Sequence, residues 1–79
     1  MPHVIVKLYP GRSEVQKTRL AERIVEDVMT TLNSAEESVS VAILEVTPEE
    51  WIDEVYTPDI TDNWQRLYKK PGYDPLNLK

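Results

Sequence analysis

Hydrophobic and polar residues alternate at the start of the chain. Within residues 2–9, the apolar residues Val4, Val6 and Leu8 occupy every second position. This period of two predicts a β-strand with those three side chains on one face. The Pro10-Gly11 pair that follows predicts a turn, because proline presets φ and glycine tolerates a positive φ.

A helical pattern follows the turn. Ser13 suits the N-cap position, and Gln16 three residues later completes a capping box. We predict that the helix continues to about Leu32, where Asn33-Ser34 ends it. Its apolar residues recur every three or four positions and predict one broad buried stripe. They are Leu20, Ala21, Ile24, Val25, Val28, Met29 and Leu32.

The second strand is predicted over residues 38–46. This segment alternates at first and then becomes continuously apolar, which is typical of a strand covered on both faces. A strand, a long helix and a strand in this order predict one right-handed β-α-β unit with two parallel strands. The fold class that we expect is therefore α+β, with short helices after the second strand.

Two similar openings predict those short helices. Thr47-Pro48-Glu49-Glu50 and Thr57-Pro58-Asp59 each place a capping residue before a proline at the first helical position. Two lysines, a proline and a glycine at residues 69–72 end the second helix. We expect the tail, residues 74–79, to be poorly ordered unless it docks. The apolar residues of the second helix are Ile60, Trp64, Leu67 and Tyr68.

The length of the chain bounds its architecture. Seventy-nine residues predict a single domain, residues 1–79, with a small core. Two strands do not form a stable sheet in water, and a two-stranded ribbon leaves one face and both edges exposed. A second copy related by a two-fold axis would complete the sheet. We therefore predict an obligate homodimer at least, and a larger ring stays open.

Composition excludes several classes of function. The net charge of −5 argues against a surface for nucleic acid or for an anionic membrane. With no cysteine and one histidine, neither a disulfide framework nor a zinc site is expected. No stretch approaches the roughly 20 apolar residues of a membrane span, and the first residues lack the pattern of a signal peptide. We expect a soluble cytoplasmic protein.

Pro2 is the first candidate for chemistry. Removal of Met1 would leave Pro2 with a free secondary amine, a backbone group able to act as a base. An α-amino group has a pKa of about 8, and apolar walls and a nearby cation would lower it towards neutrality. The amine would then transfer protons at working pH. The alternative interpretation is an uncharged start to a strand, and retained Met1 would turn this nitrogen into an amide.

Arg12 and Trp51 are the next candidates. Arg12 lies between the turn and the helix cap, where its charge opposes the helix dipole, so helix stability does not explain it. Beside unsatisfied backbone N–H groups it would complete a site for a carboxylate; a solvated arginine is the alternative. Trp51 lies just past the second strand, where its indole would form an apolar wall. Trp51 and Trp64 also suit a core or an interface.

Other polar side chains have weaker claims. We expect His3 to point off the first strand without a specific role. Ser40 has no pair of histidine and acid in view, so it is not expected to be a nucleophile. Lys69 and Lys70 are interpreted as a helix terminus that could also recruit an acidic ligand.

In their order and spacing, these segments resemble the 4-oxalocrotonate tautomerase family. The resemblance covers the chain from Pro2 to about Trp51. The stretch at residues 48–51 and the ending at residues 69–73 are similar to the branch of the family that forms dimers instead of hexamers. The segments that carry it are Pro2 opening a strand, Pro10-Gly11-Arg12-Ser13, Gln16-Lys17, the long helix, Ser38-Val39-Ser40-Val41 and Pro48-Glu49-Glu50-Trp51.

The resemblance implies a β-α-β tautomerase fold and an isomerase that uses no metal or cofactor. Pro2 matches the family's general base and acid, which moves a proton between the enol oxygen and a carbon of a 2-oxo acid. Arg12 matches the arginine that binds substrate carboxylate, and Trp51 stands where the family places an aromatic wall. Ser40 lines the site in place of a second arginine of the diacid-specific members. The resemblance therefore implies a monocarboxylate substrate such as phenylpyruvate.

Two other functions stay open. The first is a tautomerase-fold dimer that serves as a binding or structural module without significant activity. The second is a hydratase or dehalogenase on the same fold, in which a protonated Pro2 lies beside an activated water.

Overall fold

The chain divides into two compact units. They are Met1–Glu45, the N-terminal unit, and Val46–Lys79, the C-terminal unit. The computed structural model describes residues 1–75. The prediction of one domain over residues 1–79 stays a prediction.

The N-terminal unit is a β-α-β element. Strand β1 spans His3–Leu8, helix α1 spans Glu14–Leu32, and strand β2 spans Ser40–Glu45. The two strands are parallel, and their register runs from His3 opposite Ser40 to Leu8 opposite Glu45. The predicted strands, long helix and parallel pairing are therefore confirmed. A short 3₁₀ turn at Glu36–Ser38 makes β2 begin later than we predicted.

Helix α1 begins at the predicted capping box. The Ser13 hydroxyl accepts a hydrogen bond from the Gln16 amide at 3.1 Å, and the Gln16 side chain accepts one from the Ser13 amide at 2.9 Å. Both bonds satisfy N–H groups that have no partner inside the helix. Gly11 has a φ of 126° in the turn before the cap, and Asn33 ends the helix with a φ of 56°.

One face of the two-stranded sheet stays open in a single chain. Val4, Val6 and Leu8 of β1 are half-buried, as the alternation predicted. On the opposite face, Ile5 is 52% exposed and Leu44 of β2 is 46% exposed. The expectation that β2 is covered on both faces is therefore wrong for one copy of the chain.

The C-terminal unit is built from short helical segments. A 3₁₀ turn at Pro48–Glu50 is followed by a π-helix at Ile52–Ile60 and a 3₁₀ segment at Thr61–Arg66. Thr47 precedes the first turn as predicted, although its hydroxyl donates to the Glu50 carboxylate at 2.9 Å instead of capping the backbone. Among residues 1–75, Val55 in the π-helix is the one buried residue.

Pro58 does not open a new helix, so that prediction is wrong. It lies inside the π-helix, where the wider turn accommodates a residue that lacks an N–H group. The Asn63 side chain donates to the carbonyls of Pro58 at 3.0 Å and Asp59 at 3.3 Å. These bonds satisfy carbonyl groups at the end of the π-helix.

The last helical segment is shorter than we predicted. It ends at Arg66, and Leu67 already has extended backbone. Lys70 Nζ lies 5.6 Å from the centre of the Trp64 ring, and Lys69 Nζ donates to the Lys70 carbonyl at 2.8 Å. The predicted disorder of the tail concerns residues 74–79, of which 76–79 lie outside the described residues.

Within the described part of the chain, no helix combines the length and the apolar character needed to cross a membrane.

Candidate functional site

Pro2 lies at the beginning of β1, where β2 holds its main chain. The Ser40 amide donates a hydrogen bond to the Pro2 carbonyl at 3.1 Å. Met1 precedes it with 99% of its surface exposed, whereas Pro2 is half-buried. The position of Pro2 is therefore fixed by the sheet, and the residue that fixes it is the predicted site residue Ser40.

His3 has a specific partner, contrary to our expectation. Its Nδ1 atom lies 2.6 Å from the Ser40 hydroxyl oxygen, which places both polar side chains beside Pro2. Both residues are exposed. The signal that could have identified this pair is the register, because two parallel strands that begin together place His3 opposite Ser40.

Arg12 lies at the other end of β1. It lines a pocket of about 190 Å³ together with Leu8, Gln16, Lys17 and Leu20. The side chain is exposed and makes no ion pair within residues 1–75. Both interpretations of Arg12, a carboxylate site and a solvated arginine, are consistent with this exposure, and its role in binding stays a prediction.

Lys17 is the second cation that lines this pocket. Its ammonium group is paired with two carboxylates. Its Nζ lies 3.0 Å from Glu14 Oε1 and 3.2 Å from Glu45 Oε2, and the side chain is 17% exposed. The hydrogen bonds to Glu14 and then Glu45 raise the pKa of Lys17 above the ordinary lysine value. Arg12 is left as the unpaired cation of the pocket.

A single chain does not bring Pro2 and Arg12 together. Strand β1 separates them, and the six residues His3–Leu8 span about 17 Å at the usual rise of a strand. A 2-oxo acid is much shorter than that. We therefore expect a site that uses both residues to take them from two copies of the chain.

Trp51 belongs to the C-terminal unit, where it joins two tyrosines. Its indole Nε1 donates to the Tyr73 hydroxyl at 3.0 Å. The Tyr73 ring lies 5.5 Å from that of Tyr56 at an interplanar angle of 59°, a tilted arrangement that aromatic pairs favour. Neither tyrosine was assigned a role from the sequence, although Tyr73 is the last residue of the ending at residues 69–73.

Residues 1–75 contain no cluster of side chains suited to bind a metal ion. No group of three or more histidine, aspartate or glutamate residues is arranged there to hold an ion.

Comparison with other sequences identifies a family and full-length relatives. A family described as "Tautomerase enzyme" matches residues 2–56. A protein of Xylella fastidiosa named "Probable tautomerase" is 43% identical over 76 residues, which cover 96% of this chain and 93% of that protein. "Tautomerase PptA" of Cronobacter sakazakii is 41% identical over 75 residues, covering 94% of this chain and 99% of that protein.

Solved structures show a similar fold. The crystal structure of YwhB, described as a homologue of 4-oxalocrotonate tautomerase, has a TM-score of 0.62 and 26% identity, and the match covers 99% of this chain and 100% of that chain. TomN, described as a 4-oxalocrotonate tautomerase homologue in the tomaymycin biosynthetic pathway, has a TM-score of 0.61 and 34% identity. That match covers 63% of this chain and 77% of TomN.

Proposed function

Since this chain belongs to the tautomerase family, we propose that it interconverts the keto and enol forms of a 2-oxo acid with Pro2 as the proton carrier. The protein is an isomerase of the tautomerase type. The substrate and the role of Pro2 are the new elements of the proposal. The observation that carries them is the fixed start of β1, where Ser40 holds the Pro2 carbonyl at 3.1 Å.

The proposed reaction needs one group that is both base and acid. Once Met1 has been removed, the neutral Pro2 nitrogen takes the proton from the enol hydroxyl of the substrate. The electron pair of the O–H bond forms the C2 carbonyl, and the π pair of the C2–C3 double bond takes the proton from the Pro2 ammonium at C3. The net reaction moves one proton from oxygen to carbon and regenerates the neutral amine.

A second copy of the chain is part of this proposal. Two copies whose β1 strands run antiparallel about a two-fold axis bring the Leu8 end of one strand to the Pro2 end of the other. The partner's Arg12 then lies near the Pro2 nitrogen and binds the substrate carboxylate in a charge-assisted pair.

The charges of the site favour a substrate with one carboxylate. Arg12 is available to an anion, whereas Glu14 and Glu45 already neutralise Lys17. Ser40 offers no charge at the Pro2 end. Leu8 and Leu20 add apolar lining to the Arg12 pocket, which suits an aryl or alkyl 2-oxo acid such as phenylpyruvate.

Trp51 is proposed as an apolar wall of the site, and its indole is held in place by a hydrogen bond to Tyr73.

The proposed partners are a small 2-oxo acid and a second copy of the chain, without nucleic acid or membrane. A cytoplasmic location stays a prediction.

Substrate preference tests this proposal. We expect kcat/KM for ketonisation of enol phenylpyruvate to exceed that for the diacid 2-hydroxymuconate, because Arg12 is the unpaired cation of its pocket and Ser40 carries no charge at the Pro2 end. The two substrates are compared with the same preparation, after intact mass has shown that Met1 is absent. A clear preference for the diacid would contradict the substrate class, and no ketonisation of either above the buffer rate would contradict the function.

A further inference from the structure

We propose that His3, oriented by Ser40, donates a hydrogen bond from Nε2 to the C2 oxygen of the substrate while that oxygen carries negative charge. This inference rests on the proposed keto–enol reaction and adds a residue to it. His3 would act on the reacting atoms directly, and Ser40 would be a positioning residue that acts through His3.

The geometry places His3 beside the proposed proton carrier. Consecutive Cα atoms are about 3.8 Å apart, so His3 is bound to stay next to Pro2. The reacting atom of Pro2 is a backbone nitrogen, and the alternation of side chains along β1 therefore does not separate it from His3. Ser40 contacts both residues, through its amide to Pro2 and through its hydroxyl to His3.

The contact with Ser40 orients the imidazole ring. A serine hydroxyl can donate to Nδ1 of a neutral imidazole, which leaves the proton of the ring on Nε2. Within residues 1–75 the ring has no hydrogen-bond partner other than Ser40. In that tautomer, Nε2–H is a donor without a protein acceptor in the described part of the chain.

The reaction needs such a donor at this place. When Pro2 removes the enol proton, negative charge develops on the C2 oxygen before C3 is protonated. A fixed hydrogen-bond donor lowers the energy of that state more than the energy of the bound substrate, so it raises kcat. Arg12 lies at the far end of its own strand, and in the proposed dimer the partner's Arg12 is occupied by the carboxylate.

The tautomer of His3 tests the first step without any enzyme assay. His3 is the one histidine of the sequence, so its ¹⁵N and ¹H signals identify themselves in an NMR spectrum. At about pH 8.5, where an ordinary imidazole is neutral, we expect the Nε2–H tautomer in the wild-type protein. In Ser40→Ala we expect a shift towards a mixture of tautomers. A wild-type ring in the Nδ1–H tautomer would overturn the proposal.

A double-mutant cycle tests the second step. His3→Ala should lower kcat for enol phenylpyruvate about 100-fold, the usual cost of removing a donor to a developing oxyanion, and should change KM much less. Ser40→Ala should lower kcat about 3- to 10-fold through the lost orientation, and Ser40→Thr, which keeps the hydroxyl, should restore it. In the His3→Ala background, Ser40→Ala should have no further effect on kcat.

The matched control is Ser38→Ala. Ser38 lies just before β2 and is not part of the proposed site, so its replacement should leave kcat unchanged. Additive effects of His3→Ala and Ser40→Ala, or an equal loss when Ser38 is replaced, would show a structural contribution and overturn the proposal.

These results are distinguishable from a failure of the proposed function. If the wild-type protein ketonises enol phenylpyruvate and His3→Ala does so equally fast, the role of His3 is wrong while the function stands. If the wild-type protein shows no ketonisation, the proposed function fails, and the tautomer measurement still decides whether Ser40 orients the ring.

Discussion

At the scale of single residues, the structure separates the two cations near the start of α1. Lys17 is paired with Glu14 and Glu45 at 3.0 and 3.2 Å, whereas Arg12 makes no ion pair in residues 1–75. A cation that is already paired must lose its partner before it binds a substrate, and an unpaired one need not. This difference assigns the carboxylate of the substrate to Arg12.

Replacement of Arg12 tests that assignment. In Arg12→Ala we expect KM for enol phenylpyruvate to rise about 30-fold, which corresponds to a charge-assisted pair of about 2 kcal/mol. We expect kcat to change much less, because the carboxylate is bound equally in the ground and transition states. The measurement is steady-state kinetics with Arg19→Ala as the control, since Arg19 lies on α1 and does not line the Arg12 pocket. An unchanged KM would show that another group binds the carboxylate.

At the scale of elements, one ion pair joins α1 to β2. Lys17 on the helix bonds Glu45 at the end of the strand, and Glu14 one turn before it. The pair closes the end of the β-α-β unit that holds the Arg12 pocket. Its contribution to the free energy of unfolding depends on pH, because the contacts raise the pKa of Lys17.

The sign of that dependence follows from the raised pKa. The contribution is fully present below the ordinary lysine pKa of 10.5 and is lost as the pH rises through the raised value. We therefore expect Lys17→Met to have a lower Tm than the wild-type protein at pH 7, with the difference shrinking in strongly alkaline solution. Arg23→Met, on the same helix, is the control. An equal difference in Tm at both pH values would contradict the assigned role of Lys17.

Local signals predicted the elements of the N-terminal unit, and tertiary contacts decided the rest. The capping box at Ser13 and the alternation of β1 depend only on residues close in sequence. The start of α1 and the position of β1 could therefore be predicted from the sequence. Pro48 and Pro58 stand in almost the same local sequence, yet Pro58 lies inside a π-helix whose end is satisfied by Asn63. That outcome depends on a contact and not on the motif.

The candidate site also combines residues that local sequence identified with contacts that only the folded structure shows. Pro2 and Arg12 became candidates through their positions beside a strand and a helix cap, and their roles stay predictions. The contact of His3 with Ser40 joins residues 37 positions apart, and only the register of the strands brings them together. The separation of Pro2 from Arg12, in contrast, follows from the strand that the alternation already predicted between them.

At the scale of the whole molecule, the exposed apolar surface of one chain indicates association. Val55 is the one buried residue among residues 1–75, while Ile5 and Leu44 on the open face of the sheet are about half exposed. A second copy that covers this apolar surface removes it from water, which stabilises the assembled protein. The length of β1 between Pro2 and Arg12 is consistent with the same assembly, because the proposed site takes one of these residues from each chain.

Dilution tests the assembly. If folding and association are coupled, Tm should fall as the protein concentration is lowered over several orders of magnitude. Light scattering at the highest concentration should give at least twice the mass of one chain, which is 9.2 kDa. A Tm independent of concentration together with a monomeric mass would contradict the dimer and the shared site.

The central claim is that the free amine of Pro2 carries the proton. It is tested most directly by comparing kcat/KM for enol phenylpyruvate between two preparations, one with Met1 removed and one with Met1 retained, each verified by intact mass. Both must show the same Tm and assembly mass, so that only the chemistry of the Pro2 nitrogen differs. We predict that the preparation without Met1 ketonises the substrate and that the one with Met1 does not, since an amide nitrogen is not a base. Equal rates in the two preparations would contradict the account.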